Sequence, residues 1–284
     1  MHEIPLQYQE AVDAYEPIDF EGITLFPIKV REHMLFNNAR PAIDFLQQSL
    51  PVRFLSMPLL SAFYAMDVEN YNEGKPSDGL FPRALLFLAL SLQYRPDLKM
   101  EDRVTELAKG IYTSGEDQSV LKAIEFEQDG EVKRITPIQF QRMRPIIAAQ
   151  NGIELISNDA NPELVEADRD IAEMSGPELD YNFHSLISTI SVLSGVTEKE
   201  IYDWPILRMN RARDAYSRIL TFLVYGFASA TGTKFKGGNP VPSPFFDRVS
   251  QESNALIDMG KFTSGQNVSI SESGPPSGTP PNQS

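Results

Sequence analysis

Cysteine is absent from the 284 residues of this chain, and histidine occurs only three times. The missing cysteines exclude disulfides, thiolate nucleophiles and cysteine-ligated metals. His2, His33 and His184 are scattered and lack the short spacing of zinc ligands on a helix. The chain also contains neither a phosphate-binding loop nor the G-x-S-x-G pattern of a serine nucleophile. We therefore predict a noncatalytic protein with no metal and no cofactor.

Basic residues are also scarce, because 25 lysines and arginines face 39 aspartates and glutamates, for a net charge of −14. This balance opposes nonspecific binding to nucleic acids and to anionic membranes. The apolar run from Ala84 to Leu90 is far shorter than the roughly 20 residues that span a bilayer. The N-terminal residues MHEIPLQYQE resemble no secretion signal. We expect a soluble protein of a reducing cytoplasm, with no membrane partner.

What remains is a globular composition, 42% apolar, with clear local signals for helices. The predicted fold is mainly α with a small β component, namely an edge strand and one β-hairpin. The predicted organisation is an N-terminal extension over 1–18, a helical domain over 19–230 with the hairpin near 121–136, and a Gly/Pro/Ser-rich linker and disordered tail over 231–284. The edge strand is expected over Gly22 to Val30, broken by Pro27.

Several elements can be placed from the residues that begin and end them. The segment from Leu80 to Leu92 is apolar on nearly all sides and should be the central core helix. Asp129-Gly130 joins two alternating runs as a tight turn. Thr136 caps a helix that Gly152 can close, and Pro145 within it predicts a kink. A further, acidic helix is expected to open at Asn161-Pro162.

The region from Phe183 to Tyr225 carries the most consistent signals. Its first apolar helix stops at Gly195, and Thr197 with Glu200 has the T-x-x-E spacing of a capping box, so two helices should meet at a corner. Pro205 predicts that the second helix kinks or restarts beside Trp204.

Beyond Pro205, the apolar side chains at helical spacing form one arc: Met209, Tyr216, Ile219, Leu220 and Leu223. Arg208, Arg211 and Arg218 lie together outside that arc. One interpretation is a core helix with a solvated basic face. The other is a docking face for an acidic or helical partner, with Tyr202, Trp204 and Met209 as apolar anchors. The alternative for these three residues is that all of them belong to the core.

The corner at Gly195 also allows a helix-turn-helix interpretation, in which the three arginines contact DNA. The second helix, however, begins with the acidic sequence EKEIYDW, which would face phosphates unfavourably. We therefore predict no nucleic-acid partner and keep a DNA-binding regulator only as an alternative.

The order of these signals resembles that of tail assembly chaperones from bacteriophages of Gram-positive hosts. The segments that carry the resemblance are FPIKV, the D-G hairpin, TPIQFQRMRPIIAAQNG, NPELVEADRD and FHSLISTISVLSGVTEKEIYDWPILRMNRARDAYSRI, chiefly within Thr136–Asp170 and Phe183–Leu220. Pro145 and the Pro/Ser-rich tail depart from the family pattern.

The resemblance implies a late protein of the host cytoplasm that binds the phage tail tape-measure protein, keeps it soluble and helps the tail-tube protein assemble around it. The alternative within the same setting is a structural subunit of the tail or baseplate. Self-association is left open.

Overall fold

The computed structural model describes residues 4–115, 119–155 and 182–231. It is mainly helical with two small sheets, which confirms the predicted fold class. The helices are α1 (Leu6–Ala14), α2 (His33–Ala39), α3 (Leu59–Asn72), α4 (Leu80–Ser91), α5 (Met100–Lys109), α6 (Pro137–Gln150), α7 (Phe183–Ser194), α8 (Glu198–Tyr202) and α9 (Ile206–Ala230). The strands are β1 (Ile18–Phe20), β2 (Ile23–Leu25), β3 (Ile111–Thr113), β4 (Leu121–Gln128) and β5 (Glu131–Ile135). Short 3₁₀ turns at Val30–Glu32, Arg40–Ala42, Gln47–Ser49 and Val52–Phe54 connect α2 with its neighbours.

The N-terminal segment is packed onto the body rather than extended from it. Helix α1 inserts Val12 into the core, and Tyr15 ends the helix in the left-handed conformation. Strand β1 follows directly and pairs antiparallel with β2, with Ile18 opposite Leu25. Helix α1 was not predicted from the sequence, because a helix with a single buried residue has no apolar stripe at helical spacing.

The predicted edge strand is shorter than Gly22 to Val30. Strand β2 ends at Leu25, two residues before Pro27, which has no N–H for a ladder. The outer edge of β2 is covered by side-chain amides instead of a third strand. Gln128 accepts from the Thr24 N–H and donates to the Thr24 carbonyl, both at 2.9 Å. At the end of the β1–β2 ladder, Gln150 donates to the carbonyls of Glu16 and Leu25, both at 3.1 Å. These amides satisfy backbone groups that an edge otherwise leaves to water.

The second sheet contains the predicted hairpin. Strands β4 and β5 pair antiparallel with Gln128 opposite Glu131, and the two turn residues have positive φ, 56° at Asp129 and 79° at Gly130. Both values suit the turn that follows the twist of paired strands, which confirms the prediction. Strand β3 adds a third strand beside β4 that the sequence did not indicate.

The centre of the molecule is α4, as predicted. Phe87, Leu88 and Ala89 on three consecutive positions are fully buried, so this helix is covered on more than one side. Helices α2, α3 and α5 pack around it.

Helix α6 begins at the predicted Thr136 cap. The Thr136 hydroxyl accepts from the Gln139 N–H, the Gln139 side chain accepts from the Thr136 N–H, and Pro137 occupies the first turn. Pro145 lies inside the helix, which continues through it. Beside it, the buried Arg144 donates to the carbonyls of Ile43 and Phe45, both at 2.6 Å, and thereby holds the chain after α2. Burial lowers the pKa of Arg144 to about 10, so the guanidinium remains charged at neutral pH.

The helical corner near residue 195 is also confirmed. Helix α7 ends with Gly195 at φ 72°, and Thr197 and Glu200 form the reciprocal capping box at the start of α8. After Tyr202 the helix stops, and α9 restarts directly behind Pro205. The predicted acidic helix opening at Asn161 and the predicted disordered tail after Thr231 lie outside the described residues.

Candidate functional site: the C-terminal helices

The base of α9 is tied to the body through backbone hydrogen bonds. The Ile206 N–H donates to the Ile28 carbonyl at 2.9 Å, and the Val30 N–H donates to the Trp204 carbonyl at 2.8 Å, around a bridge between Lys29 and Pro205. The segment after β2 therefore leaves the first sheet and pairs with the entry to α9. This pairing fixes where the long helix starts.

Asn151, which follows α6, supports the same point from the other side. Its side-chain oxygen accepts from the Ile28 N–H and its amide donates to the Ile147 carbonyl, both at 2.8 Å, and only 1% of the residue is exposed. The backbone of Ile28 is thus fixed at two points. Its N–H is bound by Asn151 at the end of α6, and its carbonyl is bound by the first residue of α9.

Gly152 lies against the first turn of α9. Its φ is 70°, and a Cβ built on it would be 3.2 Å from Cδ1 of Leu207. Glycine is needed here for both reasons, because L side chains disfavour this backbone conformation and the neighbouring leucine leaves little room.

Helix α7 is joined to the body by a pair of stacked rings. The His33 and Phe183 rings are nearly parallel, with centroids 3.3 Å apart, and the neighbouring His184 Nδ1 lies 3.1 Å from the Tyr202 hydroxyl. Burial, assisted by the nearby His184, lowers the pKa of His33. The imidazole is therefore held in its neutral form at neutral pH.

The three nominated apolar anchors are placed differently from one another. Met209 is only 3% exposed and packs inside the core. Tyr202 and Trp204 are partly buried against the core, Tyr202 beside His184 and Trp204 beneath the guanidinium of Arg208 at 4.2 Å. Met209 therefore belongs to the core, which was the alternative interpretation of this residue, and it is not available as an anchor for a partner. A partner could contact Tyr202 and Trp204 only in part, since both are partly buried.

The three nominated arginines do not share one environment. Arg208 stacks on Trp204, a cation–π contact within the chain. Arg211 binds Asp13 of α1 at 2.7 Å, and this hydrogen bond lowers the pKa of the Asp13 carboxyl. Arg218, further along the helix, is half-buried. Arg208 and Arg211 are thus engaged by neighbours at the base of α9.

An open cleft of about 850 Å³ lies between α1, the end of α6 and the base of α9. Each arginine in its wall has a carboxylate: Arg211 binds Asp13, Arg213 binds Asp214 at 2.9 Å, and Arg40 binds Asp44 at 3.2 Å. Paired cations attract a phosphate or a substrate carboxylate weakly. Within the described ranges, no group of three or more His, Asp or Glu side chains is arranged to hold a metal ion.

The second half of α9 exposes more large apolar side chains than any other described element. We call this group the distal surface. It consists of Ile219 (42% exposed), Leu220 (49%), Phe222 (37%), Leu223 (56%), Val224 (66%), Tyr225 (36%) and Phe227 (75%).

Part of the distal surface continues the side of α9 that faces the core at its base, whereas Phe222 and Tyr225 lie on the opposite side of the helix. At about 100° per residue, Leu220, Leu223 and Phe227 fall within the same 60° arc as Met209 and Tyr216. Met209 is buried and Tyr216 partly buried, whereas the later positions are open. The apolar side chains therefore do lie on one side of the helix, but only those in its first turns are buried in the core. Beyond its first turns, the helix runs past the described elements that cover its base.

The sequence analysis did not nominate Phe222, Val224, Tyr225 or Phe227. A signal for them exists, because Ile219 to Ala230 contains no charged residue and is apolar on more sides than a core-facing stripe requires. Exposure itself depends on which other elements are available as cover, and local spacing does not reveal it.

No family model, curated protein or solved structure matches the chain. Among the helices that the structure describes, α9 included, none is both long and apolar enough to cross a membrane.

Proposed function

We propose that this chain is a noncatalytic tail assembly chaperone of a bacteriophage. In this role it binds the helical tape-measure protein in the host cytoplasm and assists assembly of the tail-tube protein around it. The proposal combines the sequence resemblance with one structural observation, the distal surface of α9. The structural subunit of a tail or baseplate remains the rival, and its test is whether the chain is present in purified virions.

The distal surface supports this role because its chemistry suits an apolar helix as partner. A helix-in-groove or helix-on-helix contact relies on apolar anchors at positions three, four and seven apart. Leu220, Leu223 and Phe227 have this spacing and are 49%, 56% and 75% exposed. The anchored base holds them at a fixed place on the body. A long apolar client helix would be shielded from other copies of itself while bound there.

Arg208 and Arg211 add little to this contact. Arg208 and Arg211 are held by Trp204 and Asp13 at the base of the helix, away from the distal surface. We therefore expect client binding to depend weakly on salt, in contrast to the steep dependence of DNA binding. This separates the proposal from the DNA-binding alternative.

The test is co-expression with a helical fragment of the very long reading frame expected immediately downstream of the gene. The chain should raise the soluble fraction of that fragment and co-purify with it. Replacing both Leu223 and Phe227 by aspartate removes two anchors of about 1.5 kcal/mol each, so affinity should fall roughly 100-fold. Ile138→Asp, on the exposed side of α6, is the matched control and should bind as the unchanged chain does.

The possible results separate the parts of the proposal. Failure of the unchanged chain to solubilise the fragment would overturn the chaperone role. Full activity of the double variant would leave the role standing and remove the distal surface from it. Loss of activity in the Ile138→Asp control would show that any added surface charge is harmful, and the assignment of the distal surface would then be overturned.

A further inference from the structure

We propose that a segment of this chain itself, Phe245 to Met259, folds back onto α9 and covers its distal surface. We call this stretch the tail segment. It follows the residues that the structure describes and is known from the sequence alone. This contact goes beyond the proposed function, because it forms within one chain and needs no client.

The distal surface is apolar on more than one side of the helix. Five of its residues span an arc of about 140°, namely Ile219, Leu223, Phe227, Leu220 and Val224. Phe222 and Tyr225 lie on the opposite side. A single helix packed alongside covers a narrower seam than this arc. A stretch of irregular chain, in contrast, can cross the helix and reach both sides.

The chain leaves α9 at the distal surface itself. The helix ends at Ala230, and the 13 residues from Gly232 to Pro244 link its C-cap, Thr231, to the tail segment. Thirteen residues reach up to about 40 Å, whereas α9 from Ile219 to Ala230 is only about 17 Å long. Gly237-Gly238 and Asn239-Pro240 in this linker are turn signals. The tail segment can therefore return along the whole exposed half of α9.

A contact within one chain needs less area than a contact between two molecules. The five residues of the arc expose roughly 550 Å² at about 200 Å² per large side chain. This is less than the 800 Å² or so that each partner contributes to a stable complex. A short linker, however, raises the effective concentration of the attached segment to the order of 1 mM. An intrinsic dissociation constant of about 0.1 mM then keeps the helix covered about 90% of the time.

The tail segment also has suitable chemistry. It contains large apolar side chains at Phe245, Phe246, Val249, Leu256, Ile257 and Met259. The linker and the tail segment together carry three basic residues (Lys234, Lys236, Arg248) and three acidic ones (Asp247, Glu252, Asp258). The chain's net charge of −14 is therefore carried by the remaining residues. A second acidic body would be repelled from α9, whereas the chain's own neutral tail is not.

The test is the reactivity of a cysteine in the full chain, which contains no other cysteine. Val224→Cys places the probe at a position that is 66% exposed on the described helix. Its labelling by a polymer-linked maleimide should be about tenfold slower than in the same variant with Phe245→Asp and Phe246→Asp added, because a 90% cover leaves a tenth of the molecules open. Ile138→Cys, on the exposed side of α6, is the control and should be labelled equally fast with and without the two aspartates.

A second measurement uses the disulfide between two introduced cysteines. Val224→Cys with Ser250→Cys should form a disulfide within one chain under mild oxidation, at least tenfold faster than Ile138→Cys with Ser250→Cys. Equal labelling of Val224→Cys with and without the aspartates would overturn the proposal. Protection that appears only as the protein is raised from about 1 to 50 μM, with disulfides between chains, would make a second copy the cover and would overturn it as well.

These outcomes are separate from those of the chaperone test. If the client binds the same surface, the double aspartate variant should bind the tape-measure fragment about tenfold more tightly, since its helix is no longer covered. This last expectation rests on the proposed function, whereas the labelling does not. A protected chain that fails to solubilise the fragment would refute the chaperone role alone. A chain that solubilises the fragment but shows no protection would refute the cover alone.

Discussion

Replacing Asn151 by alanine should destabilise the protein more than any surface asparagine does, because this side chain satisfies two buried backbone groups. The Ile28 N–H has the Asn151 oxygen as its acceptor at 2.8 Å, and the Ile147 carbonyl receives the Asn151 amide at 2.8 Å. The backbone N–H of Asn151 donates to Ala148 instead of Ile147, so the side chain replaces the helical hydrogen bond at that carbonyl. Alanine can supply neither partner.

The expected loss follows from the cost of an unpaired buried group. An unsatisfied donor costs about 1–3 kcal/mol, and a lost neutral hydrogen bond at the Ile147 carbonyl costs about 1 kcal/mol more. We therefore expect the free energy of unfolding to fall by about 3 kcal/mol. With a slope of about 2–3 kcal/mol per molar urea, the unfolding midpoint should move down by roughly 1–1.5 M.

The assay is urea unfolding followed by two signals, far-UV circular dichroism and tryptophan fluorescence. Trp204 is the one tryptophan of the chain, and its carbonyl accepts from Val30 at the base of α9, so its emission reports on the region that Asn151 supports. Asn72→Ala, at the exposed end of α3, is the control and should change the midpoint little. A loss below about 0.5 kcal/mol for Asn151→Ala, within the range of ordinary surface changes, would refute this account of the anchor.

Two further predictions concern the same region. Gly152→Ala should lower the free energy of unfolding by about 1–2 kcal/mol, because alanine is strained at φ 70° and its Cβ crowds Leu207; an unchanged midpoint in urea would contradict this. Burial lowers the pKa of His33, so the unfolded chain binds protons more readily than the folded one, and this histidine should destabilise the fold progressively as the pH falls through its unfolded pKa near 6.5. His33→Phe keeps an aromatic ring against Phe183 and removes the titration, so the difference in unfolding midpoint between pH 7.5 and pH 5.5 should be smaller than in the unchanged chain. An equal difference in both proteins would show that another group is responsible. Glu32, whose pKa is raised by burial, acts with the opposite sign and is common to both proteins.

The turns, helix caps and helix ends could be predicted from the sequence because each depends on residues only three or four positions apart. The Asp129-Gly130 turn, the Thr136 and Thr197 caps and the end of α7 at Gly195 are all of this kind. A cap or a left-handed residue needs no knowledge of the rest of the fold. The short helix α1 and strand β3 were missed because neighbours distant in sequence stabilise them.

The helix that carries the candidate site was predicted from the sequence, but the exposure of its side chains was not. The sequence indicated a helix after Pro205 with an apolar arc, and the structure has this helix. It could not indicate that Met209 is buried while Leu223 is open, because the two residues lie on one side of one helix. The difference is set by where the body ends, which is a property of the whole packing. For the same reason, the ion pair between Asp13 and Arg211 could not be predicted from local spacing.

The Gln128 amide that covers β2 also limits how this protein can contact others. Gln128 occupies both hydrogen-bonding groups that Thr24 turns toward the outer edge of the strand. A peptide from a partner that tried to extend the sheet along β2 would find these groups taken, and would have to break part-buried hydrogen bonds in order to bind. Recognition by strand addition is closed on this edge. A partner of the exposed helix α9, in contrast, would not have to break these hydrogen bonds.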